Sequence, residues 1–247
     1  ARQLLEAGTA VALLGLDRIR LAELQAIAPG RCAVYTPDVS DGAAMAAVAQ
    51  DWMAQHGAPD LVIANAGVAG GFDTAEAADL AVLRRMLEIN LIGVPATFGP
   101  FINAMRQTGR GTLCGVASVA GWRGLPGNGA YCASKAGLIA YLQSLRAELR
   151  GTGLTVSTCC PGYLRTALTA GNRFAMPGLL EPAAAANTLL ARLAKGHEWI
   201  VLPRRTGWLS RMLMLLPARL YDRILATQPR KPRVGEAGAT PIPGIKE

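Results

Sequence analysis

Short apolar runs of strand length alternate with longer Ala- and Leu-rich stretches almost from the first residue. Residues 9–16 (TAVALLGL), 31–38 (RCAVYTPD), 59–67 (PDLVIANAG), 111–118 (GTLCGVAS), 154–162 (LTVSTCCPG) and 198–203 (EWIVLP) read as buried strands. Between them, 17–27, 42–57, 79–109, 130–151 and 182–196 carry the composition of helices. Strands alternating with helices of that length predict βαβ units and hence an α/β fold with a doubly wound parallel sheet. Right-handed crossovers place helices on both faces and bring the carboxyl ends of the strands to one edge. Ligands bind at that edge, so the residues that end each strand are the ones to read for chemistry. Residues 1–205 read as one domain, 206–230 as a basic amphipathic segment, and 231–247, rich in Pro and Gly, as a flexible tail.

Composition narrows the classes. The 247 residues suit one larger α/β domain with a substantial core, and 51% hydrophobic content excludes a wholly disordered chain. Cys32, Cys114, Cys132, Cys159 and Cys160 form no CxxC pair and no zinc spacing. That odd, scattered set points to reduced thiols and a cytoplasmic setting. Only His56 and His197 occur, so no metal site is expected and a zinc or Ser-His-Asp hydrolase is disfavoured. No apolar run approaches the roughly eighteen residues needed to span a bilayer, and the opening ARQLLEAGTA reads as the middle of a helix, not a signal peptide. The net charge of +8 is unevenly placed: residues 195–247 hold ten Lys/Arg against four Asp/Glu. The basic character therefore belongs to the C-terminal region and bears on partners more than on chemistry.

The strand ends carry the candidate chemistry. Asp38 and Val39, Asn65-Ala66-Gly67, Ser118, and Pro161-Gly162 with Thr166 fall there in that order. In GNGAYCASKAGLIAY (127–141), Tyr131 stands four positions before Lys135, one helical turn away on the same face. An ammonium beside a phenol favours the phenolate, lowering a pKa that is ordinarily near 10. A phenol so tuned exchanges protons with a substrate at cellular pH. Each feature alone has an ordinary structural reading as a turn, a helix cap or a surface pair; their joint order and spacing does not.

On that order the chain resembles the short-chain dehydrogenase/reductase family in its short single-domain form, from about residue 1 to residue 205. The matching set is D-V at 38–39, N-A-G at 65–67, Asn90 in LEINLIG, Ser118, Tyr131, Lys135, and P-G-x-x-x-T at 161–166. The resemblance implies an NAD(P)-dependent oxidoreductase that interconverts a carbonyl and a secondary alcohol. It implies Tyr131 as general acid or base, with Lys135 lowering its pKa and holding the nicotinamide ribose. Ser118 would polarise the substrate oxygen, and Asn90 would position a water leading to Lys135. Asp38 and Val39 would flank the adenine, Asn65, Ala66 and Gly67 would line the cofactor cleft, and Pro161, Gly162 and Thr166 would sit by the nicotinamide.

Two departures matter. The family's opening strand and T-G-x-x-x-G-x-G loop, which holds the pyrophosphate, occur nowhere in the chain. The expectation is a sheet lacking its first, central strand, with roughly 15–25 residues upstream and weak dinucleotide binding by this chain alone. The second departure concerns cofactor choice: the position of the acid that selects NAD falls on Gly15, and Arg18 stands nearby. That favours NADP(H) over NAD(H), although Asp17 turned inward would reverse the preference.

Trp122, Leu168, Phe174 and Met176 suit a mostly apolar substrate pocket, or equally the packing of the segment after Thr166. The basic amphipathic stretch 204–233, broken by Pro217, is compatible with lying on an anionic membrane surface, covering the cleft or joining an oligomer. A homo-oligomer acting on a small molecule is expected, and nucleic acid is not, since no stacking platform interleaves the basic residues. The alternative readings are a non-catalytic nucleotide-binding regulator on the same scaffold, an inactive fragment, and a sugar-nucleotide epimerase or dehydratase, which also uses Y-x-x-x-K. The intact Ser118, Tyr131 and Lys135 speak against the regulator, and the short stretch after Thr166 against the epimerase.

Overall fold

The structure is a computed structural model describing residues 1–172 and 175–245. Each predicted run holds one strand: β1 (Val11–Leu14), β2 (Cys32–Tyr35), β3 (Leu61–Ala64), β4 (Gly111–Val116), β5 (Leu154–Pro161) and β6 (Trp199–Leu202). All pairings are parallel, in a two-stranded piece β1-β2 and a four-stranded piece β3-β4-β5-β6. Among the described residues, β1 pairs only with β2 and β3 only with β4. The sheet is thus interrupted where the sequence reading placed the absent central strand.

The helices are α1 (Arg2–Glu6), α2 (Arg18–Gln25), α3 (Gly42–His56), α4 (Asp79–Leu87), α5 (Gly93–Thr108), α6 (Gly129–Glu148), α7 (Ala167–Ala170), α8 (Pro182–Leu193), α9 (Arg204–Met214) and α10 (Ala218–Leu225). Their ends follow local chemistry. The Asp17 and Asp41 carboxylates accept the backbone N–H groups of Arg20 and Ala44, capping α2 and α3. Gly109, at φ 67°, ends α5 in the left-handed region that glycine enters without a Cβ penalty. One π-helical turn, Glu88–Ile92, joins α4 to α5 and carries Asn90.

Successive residues of the buried strands feed opposite faces, as a period of two requires. Leu113, Val156 and Cys160 pack with Phe98, Met105, Leu138 and Leu142 of α5 and α6. Cys114 and Cys159 pack with Ile200 and with Ala185 and Leu193 of α8 on the other side. Gly115 lies close under α6, where a Cβ would stand 2.5 Å from Leu142 Cδ1. All five cysteines are buried and unpaired.

The C-terminal region folds back over the body. Arg123 Nη1 donates to the carbonyls of Leu213 (2.8 Å), Met214 (3.1 Å) and Leu216 (2.8 Å), satisfying acceptors that the end of α9 leaves open. The same guanidinium lies 3.7 Å from the Tyr221 ring centroid, and the Tyr221 hydroxyl donates to Gly124 O at 2.8 Å. These contacts fasten the α9–α10 hairpin to the loop after Ser118.

Beyond α10 the structure differs from the flexible tail expected over 231–247, through residue 245. Gly71 N donates to Pro232 O at 2.8 Å, and Arg233 Nε reaches the buried Asp79 carboxylate at 2.9 Å. Ile242, 2% exposed, sits among Val68, Val82, Met86 and Ile89, and Arg85 Nε caps Pro243 O at 2.7 Å. Buried apolar contact and an ion pair supply what composition alone concealed. Among the described residues no helix is long and apolar enough to cross a membrane.

Candidate active site

The carboxyl ends of β3, β4 and β5 meet the first turns of α6. Ser118, two residues past β4, caps the short 3-10 turn Val119–Gly121 by accepting Ala120 N at 3.1 Å, and its Oγ lies 3.4 Å from Pro161 O. Its side chain lies near enough to Tyr131 to act on the phenol's pKa. Gly121 lets that turn close on α6: a Cβ there would stand 2.7 Å from the carbonyl carbon of Lys135. Ser118, Tyr131 and Lys135 are therefore held together by backbone contact as well as by side chains.

Lys135 is 4% exposed, and its Nζ donates to Val116 O at 2.8 Å, reaching the end of β4. Burial pulls its pKa down to about 8. The ammonium lies 5.9 Å from the centroid of the Tyr131 ring. Burial pushes the Tyr131 phenol up to about 12, outweighing the nearby Ser118 hydroxyl, which acts the other way. This is the reverse of the lowering inferred from the spacing alone. The reason is geometric: the ammonium is drawn to a carbonyl, so desolvation dominates over charge.

Asn90 is fully buried, and both ends of its amide are hydrogen-bonded. Its Oδ1 accepts Val68 N at 2.8 Å, and its Nδ2 donates to Val68 O (2.9 Å) and Ser134 Oγ (3.0 Å). Ser134 in turn donates to Tyr131 O at 2.8 Å. The side chain thus ties the loop after β3 to the helix that bears Tyr131 and Lys135. Gly67 lies over the same groups, where a Cβ would come 3.3 Å from Asn90 Oδ1 and 3.5 Å from Lys135 Nζ.

Other expected site residues are placed differently. Asp38 accepts Ser40 N (2.9 Å) and Ser40 Oγ (2.7 Å) and forms an ion pair with Arg85. Burial raises its pKa, but Ser40 and Arg85 together outweigh this and hold the carboxyl below the usual range. Val39 packs closely on Gly93. Arg18 is the exposed first residue of α2, with Asp17 engaged as the cap and paired to Arg20 at 3.4 Å. Gly162 N donates to Leu202 O at 2.7 Å, and Thr166 caps α7 in a reciprocal arrangement with Thr169.

Of the four expected substrate residues, Leu168 and Met176 are half-buried in the segment after Thr166. Trp122 instead stacks on Trp199 of β6, with ring centroids 6.2 Å apart, and packs against the core. Its ring lies beside Trp199 of β6 and Gly207 of α9, a different neighbourhood from the segment after Thr166. Phe174 lies outside the described residues.

The geometry suits the nicotinamide end of a dinucleotide. Among the described residues the Lys135 ammonium has one acceptor, leaving donors for a ribose hydroxyl. A cleft of about 590 Å³ runs between Arg20 of α2 and Thr166, Met176 and Leu179. The pyrophosphate cradle of a T-G-x-x-x-G-x-G loop is not among this chain's residues. Sequence reasoning missed Ser134, Gly121, Arg85 and the Asp79–Arg233 pair. A glycine three residues after Ser118 was a signal for Gly121, but the other three carried none.

Residues 1–176 match the family model described as short chain dehydrogenase. The chain is 40% identical over 169 residues to an uncharacterized oxidoreductase of Myxococcus xanthus (strain DK1622), covering 68% of this chain and 66% of that protein. It is 37% identical over 161 residues to a 2-dehydro-3-deoxy-L-rhamnonate dehydrogenase (NAD(+)) of Sphingomonas sp. (strain SKA58), covering 65% and 64% respectively. The matched stretch thus spans less than two thirds of either relative. The crystal structure of a short-chain dehydrogenase from Streptomyces avermitilis superposes with a TM-score of 0.75 at 24% identity, over 90% of this chain and 91% of that one. That likeness establishes the shared fold.

Proposed function

This chain belongs to the short-chain dehydrogenase/reductase family, and from that premise we propose that it interconverts a carbonyl and a secondary alcohol using NAD(P)(H), with Tyr131 as the acid/base. The observation that carries the reading is the convergence of Ser118, Tyr131 and the buried Lys135 at the carboxyl edge of β4 and β5.

A nicotinamide cofactor, when bound, would supply or accept the hydride, while the protein supplies orientation and proton chemistry. In the reductive direction Ser118 donates a hydrogen bond to the carbonyl oxygen, where negative charge develops. The Tyr131 hydroxyl then gives that oxygen its proton. A phenol held at about 12 stays protonated at neutral pH, which suits an acid. In the oxidative direction Tyr131 takes the alcohol proton, which requires Lys135 to turn its charge towards the phenol. With a pKa near 8 the ammonium is mostly charged at neutral pH. Asn90 holds Val68 and Ser134, and so keeps the cofactor-facing loop in register with α6.

NADP(H) is the favoured cofactor. Gly15 leaves no carboxylate at the end of β1, Asp17 is engaged as a helix cap, and Arg18 is exposed at the start of α2. An apolar substrate is favoured by Leu168 and Met176. The test is NADPH and NADH oxidation by the protein as encoded in full, across a panel of apolar ketones. The expected result is turnover preferring NADPH, reduced by roughly 10²–10⁴-fold in Tyr131→Phe. Dinucleotide binding without turnover on any ketone or alcohol overturns the enzyme reading in favour of a regulator.

A further inference from the structure

A second cavity, of about 420 Å³, lies under α9, outside the constellation of Ser118, Tyr131 and Lys135. Arg192 of α8, His197 and Trp199 beside and in β6, and Arg204, Trp208 and Arg211 of α9 line it, and among the described residues no carboxylate does. Among the described residues none of the three arginines has an ion-pair partner. The indole N–H of Trp199 is buried with no acceptor among the described residues. Three guanidiniums around one cavity, with an unpartnered indole donor on a lining residue, suit an oxyanion, since the planar Arg fork matches a phosphate edge.

The cavity adjoins an apolar surface. Trp208 is 67% exposed and Leu215 77%, and Leu209, Met212, Leu220 and Ile224 of the same hairpin are exposed with them. Such a cluster on a protein surface marks an interaction site. Arg204, Arg205, Arg211, Arg219 and Arg223 are exposed around it, against the single acid Asp222. Two copies meeting through this face would set arginines against arginines, whereas an anionic surface neutralises them. Trp208 belongs to both features, as an indole does at a lipid–water boundary.

We propose that the α9–α10 hairpin docks on an anionic phospholipid bilayer, with a headgroup phosphate in the Arg192/Arg204/Arg211 cavity and the exposed apolar side chains entering the acyl boundary. Arg123 and Tyr221 fasten the same hairpin to the loop between Ser118 and Tyr131. Docking therefore places the active-site loop next to the membrane, where an apolar substrate is concentrated. The proposal does not depend on the reductase reading, because lipid binding is measured without turnover.

The test is co-sedimentation of the full chain with vesicles of phosphatidylcholine, with and without about a third phosphatidylglycerol. The expected result is binding to the anionic vesicles only, weakened by added salt. Each of Arg204→Ala and Arg211→Ala should weaken binding about fivefold, and Leu215→Glu at least tenfold. Leu215 is so exposed that its variant should keep the wild-type circular dichroism and melting temperature. Inorganic phosphate in a thermal-shift titration separates the sources. Stabilisation by phosphate, lost in Arg204→Ala, with no vesicle binding would make the cavity a free-anion site and overturn membrane docking. Light scattering that shows a dimer broken by Leu215→Glu, again without vesicle binding, would assign the face to self-association and overturn it too.

Discussion

Replacing Asn90 with alanine separates a structural clamp from a proton relay. The amide makes three hydrogen bonds in a site with no solvent exposure, two of them to the backbone of Val68. Alanine leaves the Val68 N–H and C=O unmet, while Ser134 keeps its bond to Tyr131 O. At about 1–3 kcal/mol for each buried group left unsatisfied, the gross cost is about 2–6 kcal/mol. A water entering the vacated polar volume would recover part of that, so the expected net loss is about 3 kcal/mol. Urea unfolding followed by tryptophan fluorescence should show an unchanged slope and a midpoint lowered by about 1 M. Asn90→Asp keeps an acceptor for Val68 N but, when ionised, loses the donor to Val68 O. Burial should raise that carboxyl's pKa above its unfolded value of about 4. Its relative stability is then highest when protonated and falls as pH rises through the folded pKa. Wild-type stability in Asn90→Ala, within about 0.5 kcal/mol, would refute the clamp. Lost turnover with that unchanged stability would return Asn90 to a role in proton resupply alone.

Three further outcomes follow from the same contacts. Lys135 has a folded pKa near 8, below its unfolded value, so its burial penalty is complete below pH 8 and is relieved as pH rises towards about 10.4. Over that window wild-type stability should rise relative to Lys135→Met by up to about 1.4 kcal/mol per pH unit; a constant difference in urea titrations would contradict a buried, charged Lys135. For Asp79, burial raises the pKa, but Arg233 and the Asp73 N–H outweigh it, so the folded value is depressed. Its contribution is present above about pH 4 and lost as pH falls through the folded value. Asp79→Asn should speed amide hydrogen exchange across 231–245, and unchanged exchange would mean the apolar seat of Ile242 alone holds that stretch. Gly121→Ala forces a Cβ against the Lys135 backbone, costing about 1–3 kcal/mol and lowering turnover by separating Ser118 from Lys135. Wild-type turnover in that variant would show the turn to be compliant.

What the sequence determined by itself was local. Each strand lies within one contiguous apolar run, so six strands, their order and the residues at their carboxyl ends could be read directly, and from them the fold. Ser118, Tyr131 and Lys135 stood out because their order, together with N-A-G at 65–67 and P-G-x-x-x-T at 161–166, resembles the family's motif set. Tertiary structure decided whatever depended on distant partners or on burial. The charge at Lys135 goes to the Val116 carbonyl, so Tyr131 moves up in pKa where spacing alone argued down. Trp122 is claimed by Trp199 of β6, a ring that no local pattern pairs with it. Asp79 meets Arg233 across 154 residues, and Ile242 buries itself in a cluster with Val68, Val82, Met86, Ile89 and Ala130, which turns a Pro/Gly-rich stretch into a fastened strap. Local periodicity encodes which surface each element must hide, but desolvation and pairing are properties of the assembled neighbourhood. They acquire a sign only when the chain has closed around them.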